Sequence, residues 1–265
     1  MLELRDPFLS LWRGKDPFAE VERLQGRVYR AMPGRRTLRI EIGGRAYFVK
    51  IHYGVGWREI GKNIVTGKRP VLGARQEWQA LQRLHAARVP TMTAVAFGER
   101  GANPARRQSF LITEAIAPAV DLETLTQNWP TEPPAPARKY ALIVAVAQTI
   151  AAMHRAGVNH RDCYLCHFLL RGEAENFPPE LALIDLHRAQ TRAATPKRWR
   201  DKDLAALYFS ALNIGLTRRD KLRFLRVYFD KPLRAILREE AGLLRWLEKK
   251  AVRLLRRFQK YEGRL

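Results

Sequence analysis

Eight residues carry most of the chemistry that this sequence offers: His160-Arg161-Asp162-Cys163-Tyr164-Leu165-Cys166-His167. Three chemistries use residues of these types at these spacings. His-Arg-Asp with a side chain five positions after the Asp follows the H-R-D-x-x-x-x-N pattern of phosphoryl-transfer loops, with His167 standing where Asn is usual. There the carboxylate takes or orients the proton of an attacking hydroxyl, and the later residue meets metal or phosphate. Cys163, Cys166 and His167 also make C-x-x-C-H, the spacing of covalent haem attachment. Two Cys and two His within eight residues are, finally, a potential zinc set.

The rest of the chain discriminates among the three. The N-terminal residues Met1-Leu2-Glu3-Leu4-Arg5-Asp6-Pro7 hold acidic groups and no apolar run, so no export signal is expected and haem attachment loses its usual compartment. Zinc would need four tetrahedral ligands from eight consecutive residues, with no second C-x-x-C to help. Cys163 and Cys166 are therefore expected to pack as small apolar groups. With only 2 cysteines in 265 residues there is no disulfide framework, and a reducing cytoplasm is expected.

A phosphoryl-transfer loop needs elements to position it, and they occur in order. Arg36–Ile42 alternates polar and apolar residues, Gly43-Gly44 is a two-residue turn, and Ala46–Ile51 is a second strand carrying Lys50. An earlier strand over Arg27–Ala31, joined through Met32–Arg35, would put Lys50 on the third strand of an antiparallel sheet. A helix over Gly73–Arg88 places Glu77 near its start, where a carboxylate can hold Lys50 for pairing with nucleotide phosphates. Strands at Met92–Gly98 and Ser109–Thr113 run into a hinge at 114–117, whose Glu114 and Ile116 are candidate nucleotide contacts. The proline-rich Asn128–Ala137 reads as a surface loop. A helix over Ala137–Gly157 leads to the catalytic loop, with Gly157 as its C-cap. The apolar run Leu181–Leu186 then reads as a strand that delivers Asp185 to a divalent cation.

Asp203 reads two ways, as a helix N-cap or as a buried acceptor for the backbone of the His160-Arg161-Asp162 loop. No G-x-G-x-x-G occurs, but Gly34-Arg35-Arg36 lies where a phosphate-covering loop belongs. The order implies an α+β, two-lobed, protein-kinase-like fold. Residues 1–117 would form an N-lobe with a small antiparallel sheet, and residues 118–265 a mainly helical C-lobe. ATP and Mg²⁺ are the cofactors. The proposed catalytic base is Asp162, the metal ligands are Asp185 and His167, and Lys50, Glu77, Gly34, Glu114, Ile116 and His167 contact the nucleotide.

Charge speaks to partners. Lys and Arg total 48 against 26 Asp and Glu, a net +22 that attracts polyanions. Residues 217–265 hold 16 basic and 6 acidic side chains among apolar residues at helical spacing, so basic amphipathic helices are expected there. The longest apolar stretch, Tyr140–Met153, falls short of the ~20 residues that span a bilayer. A soluble or peripheral protein is expected.

The sequence also resembles the lipopolysaccharide core heptose(I) kinases of Gram-negative bacteria over essentially its whole length. The resemblance rests on 160–170 (HRDCYLCHFLL), 183–190 (LIDLHRAQ), 198–204 (RWRDKDL), 213–217 (NIGLT) and 11–18 (LWRGKDPF). It makes His167 in place of Asn part of the family pattern. It implies ATP-dependent phosphorylation of the first inner-core heptose at its 4-hydroxyl, on a lipid-A-linked acceptor at the cytoplasmic face of the inner membrane. An anionic membrane surface and a small acidic protein such as an acyl carrier protein are then expected partners, nucleic acid is not, and basic helices from 217 onward would hold the membrane. The competing expectation is a catalytically weak kinase-like protein that binds RNA or membrane as a polyanion.

Overall fold

The computed structural model describes residues 1–32, 34–65, 72–172 and 178–262. Pro33 of the expected turn, residues 66–71 and 173–177, and the last three residues of the basic tail lie outside them. Two compact units are present. The first comprises Met1–Gln82, Met92–Ile116 and Leu186–Arg188, and the second Arg83–Thr91, Ala117–Asp185 and Ala189–Leu265.

In the first unit, β1 (Leu2–Leu4), β2 (Arg27–Met32), β3 (Arg35–Ile42), β4 (Arg45–His52), β5 (Ala94–Arg100) and β6 (Gln108–Glu114) form one antiparallel sheet in the order β1-β5-β6-β4-β3-β2. Helices α1 (Phe8–Leu11), α2 (Pro17–Arg23), α3 (Gly56–Val65) and α4 (Arg75–Ala86) accompany it, the end of α4 entering the second unit. Asp16 caps α2, accepting a hydrogen bond from the Phe18 amide with Pro17 in the first turn. Strand β1 and helix α1 were not foreseen. β1 lacks an alternation long enough to read, and it is held by pairing Leu2–Leu4 against Ala96–Gly98. Lys50 is consequently on the fourth strand in chain order rather than the third.

Strand alternation explains the sheet's two faces. Leu38, Ile40, Tyr47, Val49 and Ile51 turn to one face, where Phe8, Trp12 and Val21 cover them. Phe8 meets Tyr47, and Trp12 meets Phe110, edge to face. Lys50 turns the other way. It pairs with Leu111, which pairs with Phe97, so these three share a row across β4, β6 and β5. Helix α4 covers that row, stacking Trp78 on Phe97 at 4.7 Å.

The second unit is mainly helical: α5 (Leu122–Thr126), α6 (Pro136–Arg155), α7 (Lys197–Ser210), α8 (Arg218–Phe229), α9 (Leu233–Glu239) and α10 (Ala241–Glu262). Helix α6 packs on α8, and α7 on α10. Strands β7 (Ala119–Asp121), β9 (Phe168–Arg171) and β10 (Leu181–Leu183) form a three-stranded sheet, and β8 (Val158–Asn159) pairs with β11 (Gln190–Thr191). The foreseen α6 ends at Arg155 with Ala156, not Gly157, as its C-cap; Gly157 follows at φ +77°, where a residue free of Cβ strain is needed. None of the helices among the described residues is long and apolar enough to cross a membrane.

Candidate active site

The alternation that hides Lys50 also aims it at α4. Its Nζ donates to Glu77 Oε1 at 2.6 Å, and Glu77 is 1% exposed. A buried carboxylate without a cation is costly, so each side chain fixes the other. Glu77 Oε2 has no partner among the described residues, which leaves one carboxylate oxygen for another donor.

Gly34, between β2 and β3, has φ +86°, and its carbonyl accepts from the Tyr53 amide at 2.9 Å. A Cβ there would come within 2.7 Å of the Gly54 carbonyl, so the close approach of two backbones selects glycine. Glu114 ends β6, its carboxylate 3.8 Å from the Arg45 guanidinium and its amide bonded to Thr93. Ile116, half-buried, is the last residue of that stretch of the first unit.

In the second unit, the His160–His167 loop follows β8 and turns on Arg161, whose φ is +73°. The loop stays in this shape because Asp203 accepts from two consecutive amides, His160 at 2.7 Å and Arg161 at 2.8 Å. Asp203 is 1% exposed and lies inside α7, which begins at Lys197 after Pro196. Of its two readings the buried acceptor therefore holds and the N-cap does not. His154 Nε2 stands 3.3 Å from Asp203 and His154 Nδ1 2.7 Å from Tyr228 Oη. A carboxylate only accepts, so Nε2 carries the proton and the Tyr228 hydroxyl donates to Nδ1.

The two histidines of the loop stack, ring centroids 5.3 Å apart and planes 8° from parallel. His160 Nε2 donates to the Ile184 carbonyl at 3.0 Å, and the Ile184 amide donates to the His167 carbonyl at 3.0 Å. Burial keeps the His160 ring neutral, although Asp203 pulls the other way. His167 Nδ1 donates to the Asp162 carbonyl at 2.6 Å, so Nε2 is the nitrogen that faces Asp185 Oδ2, at 3.8 Å. One imidazole thus spans Asp162 and Asp185.

Asp185 is not carried on a strand, contrary to expectation. β10 stops at Leu183, once its pairing with β9 ends, and Asp185 follows in the left-handed region at φ +55°. Non-glycine residues there are uncommon and collect at functional turns. Cys163 is buried and Cys166 half-buried, and both are free thiols. Burial, with Asp203 and Asp162 nearby, pushes the Cys163 thiol well up, and burial pushes Cys166 up to about 11. Both stay protonated at neutral pH, which suits packing rather than nucleophilic work.

A carboxylate beside one imidazole nitrogen suits a cation that takes one or two protein ligands and fills its shell with phosphate oxygens and water, as Mg²⁺ does, with the carboxylate the stronger ligand. Sequence reasoning missed His154 and Tyr228. The one available signal was a histidine in the last turn of an otherwise apolar helix. It also missed an apolar cavity of about 320 Å³ in the second unit, walled by helices α5 to α10 and reaching Leu165 of the His160–His167 loop.

Comparison with known proteins fits this geometry. Residues 19–228 match the lipopolysaccharide kinase (Kdo/WaaP) family. The chain is 66% identical over 264 residues to the lipopolysaccharide core heptose(I) kinase WaaP of Pseudomonas aeruginosa, covering 98% of each. It is 52% identical to the Escherichia coli protein of the same name, covering 97% of this chain and 98% of that one. A solved structure described as WaaP in complex with acyl carrier protein superposes with a TM-score of 0.85 at 61% identity, covering 96% of this chain and 99% of that one. The chain belongs to the lipopolysaccharide kinase (Kdo/WaaP) family.

Proposed function

We propose that this chain transfers the γ-phosphoryl group of ATP to the 4-hydroxyl of the first inner-core heptose of lipopolysaccharide. The supporting observation is the His167 imidazole, bonded to the Asp162 backbone on one nitrogen and facing Asp185 on the other. Asp162 orients the acceptor hydroxyl and takes its proton. Lys50, steadied by Glu77, meets nucleotide phosphates, with backbone near Gly34 over them and Glu114 and Ile116 on the nucleotide's other end. Asp185 and His167 Nε2 would hold Mg²⁺, which would offset phosphate charge. Little covalent work is asked of the protein, so positioning and charge stabilisation supply the rate.

Relatives bearing the heptose(I) kinase name at 66% and 52% identity support the acceptor. The reading places the enzyme in the cytoplasm, at the inner face of the inner membrane, where a basic surface meets anionic lipid. The acyl carrier protein complex of a 61% identical relative supports the same partner here, a small acidic protein against a chain of net +22. The decisive experiment is ATP turnover on purified core lipid, with the phosphate located on the product by mass spectrometry. Wild type should turn over and Asp162→Asn should fall about 10²- to 10⁴-fold. Equal inertness of the two would reject the reading.

A further inference from the structure

The face of the first unit's sheet that carries Lys50 also carries polar atoms with nothing to bond. Lys50 and His52 are two residues apart on β4, and Thr37 and Arg35 stand directly across from them on β3. Pairing and alternation put all four on one face, opposite the side that Phe8 and Trp12 cover. Thr37 Oγ1, His52 Nε2 and Arg35 Nε are shut off from solvent and have no hydrogen-bond partner among the described residues. Glu77 Oε2, on the helix over that face, is another such atom.

Arg35 is the informative member. Arg39, on the same face of the same strand, has its counter-charge in Glu41 at 2.9 Å. Arg35 has no such carboxylate among the described residues, although it is half-buried. His52 supplies no anion, since burial first and then the charges of Arg35, Lys50 and His187 keep its ring neutral. A guanidinium with a sealed, unbonded nitrogen is costly, and a folded chain keeps such a group for a reason. Gly34 comes directly before it, and the close approach to Gly54 fixes where the Arg35 side chain leaves the turn.

The strands also give a bound nucleotide a direction. Glu114, proposed for the end away from the phosphates, stands across from Tyr47. Lys50 lies three residues further along β4, and the His52–Arg35 row two residues beyond it. At about 3.3 Å per residue these steps are roughly 10 and 7 Å. A nucleotide laid from Glu114 past Lys50 meets Lys50 with its inner phosphates and the Arg35 row with its last one. Leu186–Arg188, the segment that follows Asp185 in the chain, belongs to the first unit, and the His187 charge is felt at His52. The chain that leaves the proposed metal ligand thus arrives at this same end of the strands.

We infer that Arg35 binds the terminal phosphate of the nucleotide, doing with a guanidinium fork what a Gly-rich loop does with backbone amides, and so distinguishes a triphosphate from a diphosphate. This deepens the proposed function and rests on ATP as its donor. A fork can make two parallel charge-assisted bonds to one phosphate, whereas Lys50 acts as a point charge on the inner ones. Once the terminal phosphate has moved to the acceptor, the diphosphate no longer has the group that Arg35 grips, so its hold loosens and it exchanges for fresh donor.

The test is calorimetric titration of the full chain with Mg²⁺ and no acceptor, using a non-hydrolysable imido analogue of ATP, then ADP and AMP. Wild type is compared with Arg35→Met, Arg35→Lys and a control, Arg23→Met, whose arginine pairs with Glu20 on the helix over the other face. Arg35→Met should weaken the triphosphate analogue about 10- to 100-fold and leave ADP and AMP within about twofold, erasing the wild-type preference for three phosphates over two. Arg35→Lys keeps the charge without the fork and should fall between. Arg23→Met should bind all three nucleotides as wild type does. Without nucleotide, the thermal midpoints of the Arg35 variants should not fall below wild type, because Arg35 has no bonded partner to strand. Equal losses of all three nucleotides in Arg35→Met, or an undiminished hold on the analogue in both Arg35 variants, would overturn the inference. Failure of wild type to bind any of the three would instead reject ATP as the donor, and this inference with it.

Discussion

At the scale of single residues, buried ionisable groups decide what the site tolerates. Lys50→Met strands Glu77 in the interior and should cost about 3–5 kcal/mol, read from urea denaturation. Lys50→Met/Glu77→Leu should recover most of that stability while staying inactive, which separates holding the fold from meeting phosphate. His52 gives a pH signature. Burial, then the charges of Arg35, Lys50 and His187, depress its pKa to about 3. An unfolded chain takes up that proton near pH 6.5, so the folded state has its full benefit above pH 6.5 and loses it progressively as pH falls toward 3. The slope from His52 alone should approach 1.4 kcal/mol per pH unit, about the value of one proton. His52→Leu should flatten the denaturation midpoint between pH 6 and 5. The Lys50–Glu77 pair was legible because the strand and the helix that carry its two members could each be read. The His154–Tyr228 contact was not, since 74 residues separate partners that only the packing of α6 on α8 brings together.

At the scale of elements, the catalytic loop is shaped at its ends. Gly157 follows the C-cap of α6, and a Cβ there would fall 2.0 Å from the Arg192 carbonyl, in a left-handed backbone besides. Gly157→Ala should cost at least about 2 kcal/mol in thermal or urea unfolding, and the loss should carry over into kcat because the catalytic loop starts three residues later. Tyr228→Phe should be milder, about 1 kcal/mol, since it leaves His154 Nδ1 without its donor. Strands with clear alternation and the helix caps were readable from sequence to within a few residues. The end of β10 was not. Its apolar run continues to Leu186, and only the bonding of the Ile184 carbonyl to the His160 ring and of its amide to the His167 carbonyl shows where the backbone leaves the strand. Asp203 shows the same limit, because a local cap and a long-range clamp look alike until α7 is seen to start at Lys197.

At the scale of the whole molecule, charge is the dominant variable. A net +22 should make acceptor KM climb steeply between 50 and about 300 mM salt while ATP KM changes little, because long-range attraction is screened and short phosphate contacts are not. Equal salt sensitivity of the two constants would show that the field does not recruit acceptor. The net charge was plain in the sequence, but its placement was not: the expected basic helices lie after residue 217, whereas Arg161, Arg192, Arg198 and Lys202 also gather around Trp199. One further consequence follows from the Asp203 clamp. Its carboxylate takes up two neighbouring backbone amides, at His160 and Arg161. Those two N–H groups should exchange with solvent deuterium together and only when the clamp opens. Their shared exchange rate is thus a clock for assembly of the His160–His167 loop, readable without substrate, and in Tyr228→Phe it should quicken by more than the loss of global stability accounts for.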